Sequence, residues 1–176
     1  MIRASLPALL VSALLVLLAG CGFHLRDALL LPPGLGPVRV QADDPDGPLA
    51  QQLQQALQRA GATIAAPGDT DAASLRIVSE RLGDTSISVD QFGRSQEFTL
   101  RYAVIFDLRR ADDSDLVPQQ AIELSRDYVS VPTSSAGTEG EREILVRELR
   151  REMVSSILRR IDAVSRLSQQ APATSP

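Results

Sequence analysis

The chain has 176 residues, of which 44% are hydrophobic, 23% charged and 3% aromatic, and this composition predicts one ordinary globular domain. The formal net charge of −4 argues against a nucleic-acid binder that works through bulk positive charge. Because all 18 basic residues are arginines and there are one cysteine and one histidine, the sequence excludes lysine Schiff bases, intramolecular disulfides and zinc sites built only from Cys and His.

Residues 1–20 are predicted to be a lipoprotein signal peptide. Arg3 gives a short positive start, and residues 6–19 form an apolar run that is shorter than the ~20 residues of a membrane-spanning helix. The run ends in Leu18-Ala19-Gly20-Cys21, which looks like a lipobox, so we expect cleavage between Gly20 and Cys21 and acylation of Cys21. The alternative is an ordinary secretory signal peptide followed by an incidental cysteine.

The acyl chains expected on Cys21, palmitate among them, would tether the mature chain to a membrane. One chain binds a bilayer with only ~10⁴ M⁻¹, but each buried CH₂ contributes about 0.8 kcal/mol, so three chains make a lasting anchor. Gly22 rather than an aspartate follows the cysteine, which in the sorting rule of enteric bacteria is typical of outer-membrane lipoproteins. The predicted location is therefore the periplasmic side of the outer membrane.

The rest of the chain is predicted to divide into a lipid-anchored linker (residues 21–37), a single α+β domain (38–167) and a disordered tail (168–176). Within the domain, Val38–Gln41 alternates as a short strand does. A helix of about 13 residues should begin at Pro48, with Asp46 or Gly47 as its N-cap and Gly61 after its last turn.

The middle third of the domain is strand-like. Residues 75–79 and 86–89 are predicted to be two short strands rich in β-branched side chains. Residues 97–109 alternate so regularly that one face should be buried and the other mostly wet. The wet face is predicted to carry Glu97, Thr99, Arg101, Ala103, Ile105, Asp107 and Arg109. A hairpin loop is expected at residues 91–94, and a further strand around 122–128.

The longest predicted helix covers residues 139–167. Thr138 and Glu141 have the spacing of a capping box at its start. Its apolar stripe consists of Leu145, Leu149, Met153, Ile157, Ile161 and Val164. The order of elements predicts a two-layer α+β sandwich, with both helices on one face of a small mixed, mostly antiparallel sheet.

Several residues that could carry chemistry have simpler interpretations. His24 is interpreted as structural or interfacial, because a catalytic base needs a nucleophile and an orienting partner. The acidic stretches 43–44 and 112–115 lack the spacing of a calcium loop and are interpreted as solvated turns. Residues 34–36 lack the third glycine and the preceding strand of a nucleotide loop. We therefore predict no catalytic residue, no metal and no cofactor.

Arginines are the remaining candidates for ligand binding. The seven between residues 141 and 166 have the spacing of a salt-bridged helix surface. Arg76 and Arg101 lie on the polar side of predicted strands, and Arg94 lies in the expected hairpin loop. Such arginines could bind lipid phosphates bidentately near a membrane. The alternative is that arginine is simply the surface cation of this proteome.

Residues 21–27, Cys-Gly-Phe-His-Leu-Arg-Asp, resemble the start of the LPS-assembly lipoprotein family (LptE, formerly RlpB). The turn at residues 44–49 resembles the one that opens the family's first helix. The hairpin around Ser88-Val89, Gly93 and Glu97-Phe98 resembles the family's central hairpin, and the element order matches over nearly the whole mature chain.

The resemblance implies two helices on a small mixed sheet and no enzymatic activity. It implies a heterodimer with the outer-membrane β-barrel LptD, which the chain would plug, assisting barrel assembly and delivery of lipopolysaccharide to the cell surface. It also implies a lipopolysaccharide site at basic positions near the hairpin and a neighbouring loop, for which Arg94, Arg101 and Arg76 are the candidates. Residues 133–138 depart from the family because that loop has no basic residue.

Two other functions fit the same features. A lipoprotein that activates a peptidoglycan synthase, or a pilot of a secretion pore, would share the anchor, the α+β domain and the lack of catalytic residues. A lipid-anchored hydrolase would require an acid pair such as Asp107 and Glu123 in a cleft, with at least one shifted pKa. The alternation places both acids on the wet side of their strands, which disfavours the hydrolase.

Overall fold

The computed structural model describes residues 31–32, 35–89, 95–130 and 135–170. The predicted signal peptide, Cys21, Gly22, His24 and the hairpin loop with Arg94 lie outside these residues, as do residues 171–176. The elements, in chain order, are β1 (Val38–Gln41), α1 (Pro48–Arg59), β2 (Ala73–Val89), β3 (Ser95–Arg109), β4 (Asp115–Val129) and α2 (Ser135–Gln170).

The four strands form one open sheet in the order β1-β2-β3-β4. β1 runs parallel to β2, whereas β2–β3 and β3–β4 are antiparallel pairs. α1 packs on β1, α2 packs on β3 and β4, and the two helices also pack on each other over a single apolar core. The predicted α+β class, with a mixed and mostly antiparallel sheet, is confirmed.

α1 is a short helix with a strong stop signal. Gly47 is its N-cap and Pro48, which lacks a backbone N–H, occupies the first turn. At the other end the N–H of Gly61 donates to the carbonyl of Gln58, and the N–H of Ala62 donates to the carbonyl of Leu57. This pair of hydrogen bonds is a Schellman motif, and it requires the left-handed φ of +91° at Gly61. The predicted start and stop of this helix are confirmed.

β2 differs from its prediction. The two short strands expected at 75–79 and 86–89 are one strand of 17 residues, because β3 pairs with it along its whole length. The register shifts between Ile77 and Ser79, where a bulge inserts Val78. Before the bulge, the odd-numbered residues of β2 face the helices. After the bulge, the even-numbered residues Glu80, Leu82 and Asp84 face the helices, because they lie opposite the core residues of β3. A prediction that assumes a strict two-residue alternation along the strand cannot detect that the two faces exchange at the bulge.

The predicted alternation of β3 is confirmed on its apolar side. Five of its residues that face the helices are at most 1% exposed: Leu100, Tyr102, Val104, Phe106 and Leu108. Phe98 continues this row and stacks on Tyr128 of β4, with ring centroids 5.5 Å apart. These side chains form the floor of the core beneath α2.

α2 begins at Ser135 and ends at Gln170, so it is longer at both ends than predicted. Thr138 lies inside its first turn rather than at the cap. The core stripe is confirmed, since Leu149, Met153, Ile157 and Ile161 are each 0% exposed. From residue 138 to residue 148, by contrast, no side chain is fully buried. Neither helix in the described part of the chain combines the length and the apolar content needed to cross a bilayer.

Candidate functional site: the outer face of the sheet

The side of the sheet opposite the helices, called the outer face below, carries two of the sequence-predicted candidates, Arg76 and Arg101. Its central rows follow from the strand register: Arg81 lies beside Ala103, and Ala103 lies beside Glu123. The side chains of Arg81, Arg101 and Glu123 are exposed, whereas those of Ala103 and Ile105 are half-buried. This surface is polar and carries charges of both signs. Such a surface is suited to contact with a hydrated partner or ligand.

Arg101 is placed where the sequence predicted, on the solvent side of β3. Its Nη1 lies 3.5 Å from Oε1 of Glu123, and the two side chains are 61% and 58% exposed. An ion pair this exposed contributes at most ~1 kcal/mol because water and salt screen it. The guanidinium of Arg101 can therefore exchange Glu123 for another anion at low cost.

Arg81 is a second cation on the outer face, and it is not among the arginines predicted from the sequence. It pairs with Ala103, two residues from Arg101, which makes the two arginines diagonal neighbours about 7–8 Å apart at their Cα atoms. No ion pair of Arg81 is found among the described residues. No sequence signal marks Arg81, because the bulge at Val78 that moves it onto the outer face arises from the pairing with β3.

Arg76 lies on the outer face but already has a strong partner. Its Nε and Nη2 donate to the two carboxylate oxygens of Asp107 over 2.7 Å and 2.6 Å, and this hydrogen bonding raises the pKa of the guanidinium. Asp107 is 1% exposed, so the prediction that it lies on a wet surface is wrong. Two arginines enclose it, since Nε of Arg109 lies 3.9 Å from the same carboxylate.

The structure does not bring the three candidate arginines into one site. Arg76 lies opposite Asp107, six residues along β3 from Arg101, which corresponds to about 20 Å. Arg94 lies outside the described residues, so its distance from the other two is not defined. Arg76 instead borders an open groove of about 350 Å³ that it shares with Gln41, Asp43, Val78 and Gln119.

The acid pair considered for a hydrolase is also separated. Glu123 pairs with Ala103, four residues along β3 from Asp107, which corresponds to about 13 Å. Paired carboxylates in glycosidases lie roughly 5–9.5 Å apart. No cluster of three or more potential metal ligands occurs among the described residues either.

Two polar bridges on the helix side of the sheet were not predicted. The Tyr102 hydroxyl donates to Oε1 of Glu80 over 2.6 Å and also interacts with Arg150 of α2. The Tyr128 hydroxyl donates to Oδ1 of Asp84 over 3.0 Å, and Arg142 of α2 donates to Oδ2 of the same residue. Each bridge thus joins a tyrosine of the sheet, an acid of β2 and an arginine of α2.

The spacing of the bridges explains why both can form. Glu80 and Asp84 are four residues apart on a strand, which is about 13 Å. Arg150 and Arg142 are eight residues apart on a helix, which is about 12 Å. Because α2 runs antiparallel to β2, Arg142 reaches Asp84 while Arg150 reaches the Tyr102 hydroxyl that is bonded to Glu80. The bridges hold the first half of α2, where few apolar side chains are buried, over the long β2–β3 hairpin.

Comparison with known proteins identifies the family. Residues 35–161, well over half of the chain, match the family described as LptE, lipopolysaccharide-assembly. The chain belongs to this family. The family resemblance inferred from residues 21–27 and from the element order is thereby confirmed.

Relatives in the family match nearly the whole chain. An LPS-assembly lipoprotein LptE of Photorhabdus laumondii is 27% identical over 168 residues, which cover 96% of this chain and 91% of that protein. The LPS-assembly lipoprotein LptE of Yersinia enterocolitica is 27% identical over 160 residues, which cover 90% of this chain and 76% of that protein.

Solved structures share the fold. The crystal structure of the rare lipoprotein B from Shewanella oneidensis superposes with a TM-score of 0.65 at 21% identity and covers 77% of this chain and 100% of that one. The solution structure of lipoprotein B from Nitrosomonas europaea has a TM-score of 0.66 at 25% identity, covering 81% of this chain and 91% of that one. The family's fold is therefore two helices on a four-stranded mixed sheet here as well.

Proposed function

We propose that this lipoprotein pairs with the outer-membrane β-barrel LptD, plugs its lumen, and assists both the assembly of the barrel and the delivery of lipopolysaccharide to the cell surface. The observation that carries the proposal is membership of the lipopolysaccharide-assembly family across residues 35–161. The role requires no catalysed reaction and no cofactor.

The proposed anchor is the set of acyl chains on Cys21, which would hold the domain on the periplasmic side of the outer membrane. A tether of this kind raises the concentration of the domain beside any partner in the same membrane without adding a contact. Residues 21–37 would then act as the spacer between membrane and domain. Replacing Cys21 with alanine should abolish incorporation of labelled palmitate into the chain.

The outer face is the surface that we assign to the lumen wall. A wide barrel lumen is polar and filled with water, so a plug has to present polar side chains to it. Arg81, Arg101 and Glu123 give the outer face this character, and no apolar core residue has to be exposed for it to make contact. The helices on the opposite side keep the core closed.

We further propose that arginines contact the phosphates of lipopolysaccharide, where they would compete with divalent cations and loosen lipid aggregates. The candidates remain Arg94, Arg101 and Arg76. Arg101 is supported by its exposed and weakly held guanidinium, whereas Arg76 would have to share its donors with Asp107. Arg101→Glu should weaken lipopolysaccharide binding, and the matched change Arg151→Glu on the exposed side of α2 should not.

The proposal is tested by purification from native outer membranes through an affinity tag placed after Pro176. Mild detergent extraction should yield a stoichiometric large β-barrel together with lipopolysaccharide, detected by mass spectrometry and by a lipid assay. Recovery of a peptidoglycan synthase or of a secretion ring in place of the barrel would contradict the proposal. Either result would favour the alternative of a synthase activator or a secretion pilot.

A further inference from the structure

The second half of β2 has an open edge. β1 pairs only with Ala73–Arg76, whereas β2 continues to Val89. From residue 78 to residue 87, called the docking edge below, no described strand pairs on the side away from β3. Ten residues at ~3.3 Å each make this edge about 33 Å long, and an unpaired edge of that length is a template for another strand.

The other two edge strands each carry a feature that interrupts or covers part of the edge, although residues 119–129 of β4 also have no described partner on the side away from β3. Val38 of β1 forms a parallel bridge with Ile64, supported by hydrogen bonds from Val38 to Thr63 and from Ala65 to Val38. β4 carries Pro118, which has no N–H to offer a new strand, beside a register shift in its pairing with β3. Such devices prevent unwanted strand pairing. The docking edge contains neither a proline nor a covering segment among the described residues.

The docking edge also concentrates exposed apolar side chains. Six large hydrophobic residues of the described chain are exposed, and three of them lie here: Val78 at 45%, Leu82 at 38% and Ile87 at 53%. Exposed apolar groups collected along one strand are typical of an interaction site rather than of a solvated surface. A strand added to this edge would cover them with its own side chains.

The charge of the edge indicates what that strand should carry. Arg81 is exposed and forms no ion pair among the described residues, whereas Glu80 and Asp84 on the helix side are already held by tyrosines of the sheet. A neighbouring strand therefore gains most from an acidic residue opposite Arg81 on the outer face, with apolar residues opposite Leu82 on the helix side.

We propose that the docking edge binds an extended strand of the partner protein by β-strand addition, with an acidic side chain opposite Arg81 and apolar side chains opposite Leu82. Main-chain hydrogen bonds would supply affinity and the alternating side chains would supply specificity. The inference rests on the proposed function, because the added strand is expected to belong to the barrel that co-purifies with the chain.

The experiment that tests the inference is a residue-by-residue crosslinking scan. A photo-crosslinking amino acid is placed at each position from 78 to 87 of the full-length, tagged chain in living cells, and crosslinked residues of the partner are located by mass spectrometry. Strand addition predicts that the crosslinked partner position moves by one residue for each step along the edge, always in one direction. Contacts scattered over the partner surface would overturn the inference.

A pair of variants gives an independent test. Arg81→Glu combined with Ile87→Lys should lower the amount of co-purified partner by about threefold to tenfold, since the pair removes two cross-strand contacts. Arg151→Glu combined with Leu167→Lys changes the same residue types at exposed positions of α2 and should leave the yield unchanged. Equal losses from both pairs would overturn the inference.

The outcomes separate the inference from the proposed function. If the barrel co-purifies but the crosslinked partner positions do not move stepwise along the docking edge, strand addition is wrong and the proposed function stands. Crosslinks to a second copy of the chain, or to its own residues 22–30, would also overturn the inference, because they would show that another segment binds the docking edge. If no barrel is recovered from the tagged wild-type chain, both the inference and the proposed function fail.

Discussion

Arg142 on α2 donates two hydrogen bonds to a single carboxylate oxygen of Asp84 on β2, through Nε over 2.9 Å and through Nη2 over 2.7 Å. The other oxygen of Asp84 accepts from Tyr128. This bridge joins three elements at a level where α2 buries no side chain completely. Polar contacts therefore add to the partly buried Leu145 and Val146 in holding the first half of α2 on the sheet, whereas fully buried apolar side chains from Leu149 onward hold the second half.

The Asp84 bridge should contribute measurably to stability. Arg142→Ala removes two charge-assisted hydrogen bonds between side chains that are less than one third exposed, so the free energy of unfolding should fall by roughly 1–2 kcal/mol. The measurement is urea unfolding of residues 21–176 with Cys21→Ser. The control is Arg151→Ala on the exposed side of α2, which should change stability by less than about 0.5 kcal/mol. Equal effects of the two changes would contradict a stabilising bridge.

The two tyrosines should titrate at a higher pH in the folded protein than in the unfolded chain. Burial raises the pKa of Tyr102, and the hydrogen bond to Glu80 raises it further; burial and Asp84 raise the pKa of Tyr128 in the same way. An unfolded tyrosine has a pKa of about 10. Above pH 10 the unfolded state therefore loses protons that the folded state keeps, and stability should fall as the pH rises.

Tyrosinate absorbance checks this prediction directly, because the chain contains two tyrosines and no tryptophan. In the folded protein the absorbance should rise at a higher pH than in urea and together with unfolding, whereas in urea it should rise near pH 10. Tyr102→Phe should reduce the loss of stability above pH 10. A full tyrosinate signal near pH 10 in the folded protein would show that neither hydroxyl is held as described.

The buried carboxylate of Asp107 should be sensitive to substitution. Asp107→Ala leaves Arg76 without its bidentate partner, whereas Arg109 keeps Asp113 and Asp115, and removing the buried member of an ion pair is destabilising. Because Arg76 is 35% exposed and can be hydrated, we expect a loss of roughly 2–3 kcal/mol. Glu123→Gln, an exposed acid on the same face, should cost less than about 0.5 kcal/mol. Thermal unfolding of the two variants side by side tests the contrast.

Two glycines should respond to alanine in opposite directions. Gly61 has a φ of +91° in the stop of α1, so Gly61→Ala should cost roughly 1 kcal/mol. Gly140 lies inside α2 with open space where a Cβ would be, so Gly140→Ala should stabilise by roughly 0.5–1 kcal/mol. Urea midpoints that shift in the same direction would contradict the geometry of one of the two sites.

Local signals predicted the elements that local forces determine. The capping and stop residues of α1 and the apolar alternation of β3 are properties of neighbouring residues, and both agree with the structure. The long helix was predicted too short because Thr138 and Glu141 have cap spacing although the chain is already helical from Ser135. A capping pattern is only one of several ways in which a helix can begin.

Non-local pairing determines what the sequence could not reveal. Residues 80–85 are mostly polar and include a glycine, which disfavours a strand, yet register pairing with β3 makes them one. Asp107 lies on the polar side of the alternation in β3. It is nevertheless buried, because Arg76 of β2 and Arg109 of β3 cover its carboxylate. The same limit applies to the candidate site: the sequence selected Arg101, but only the bulge at Val78 places Arg81 beside it.

The measurement that tests the central proposal most directly is the rate at which newly made lipopolysaccharide reaches the cell surface when this protein is depleted. Surface labelling after a metabolic pulse would compare depleted cells with cells complemented by the wild-type chain. The proposed function predicts that depletion strongly slows surface arrival and that the wild-type chain restores it. Undiminished arrival at the surface of depleted cells would contradict the account.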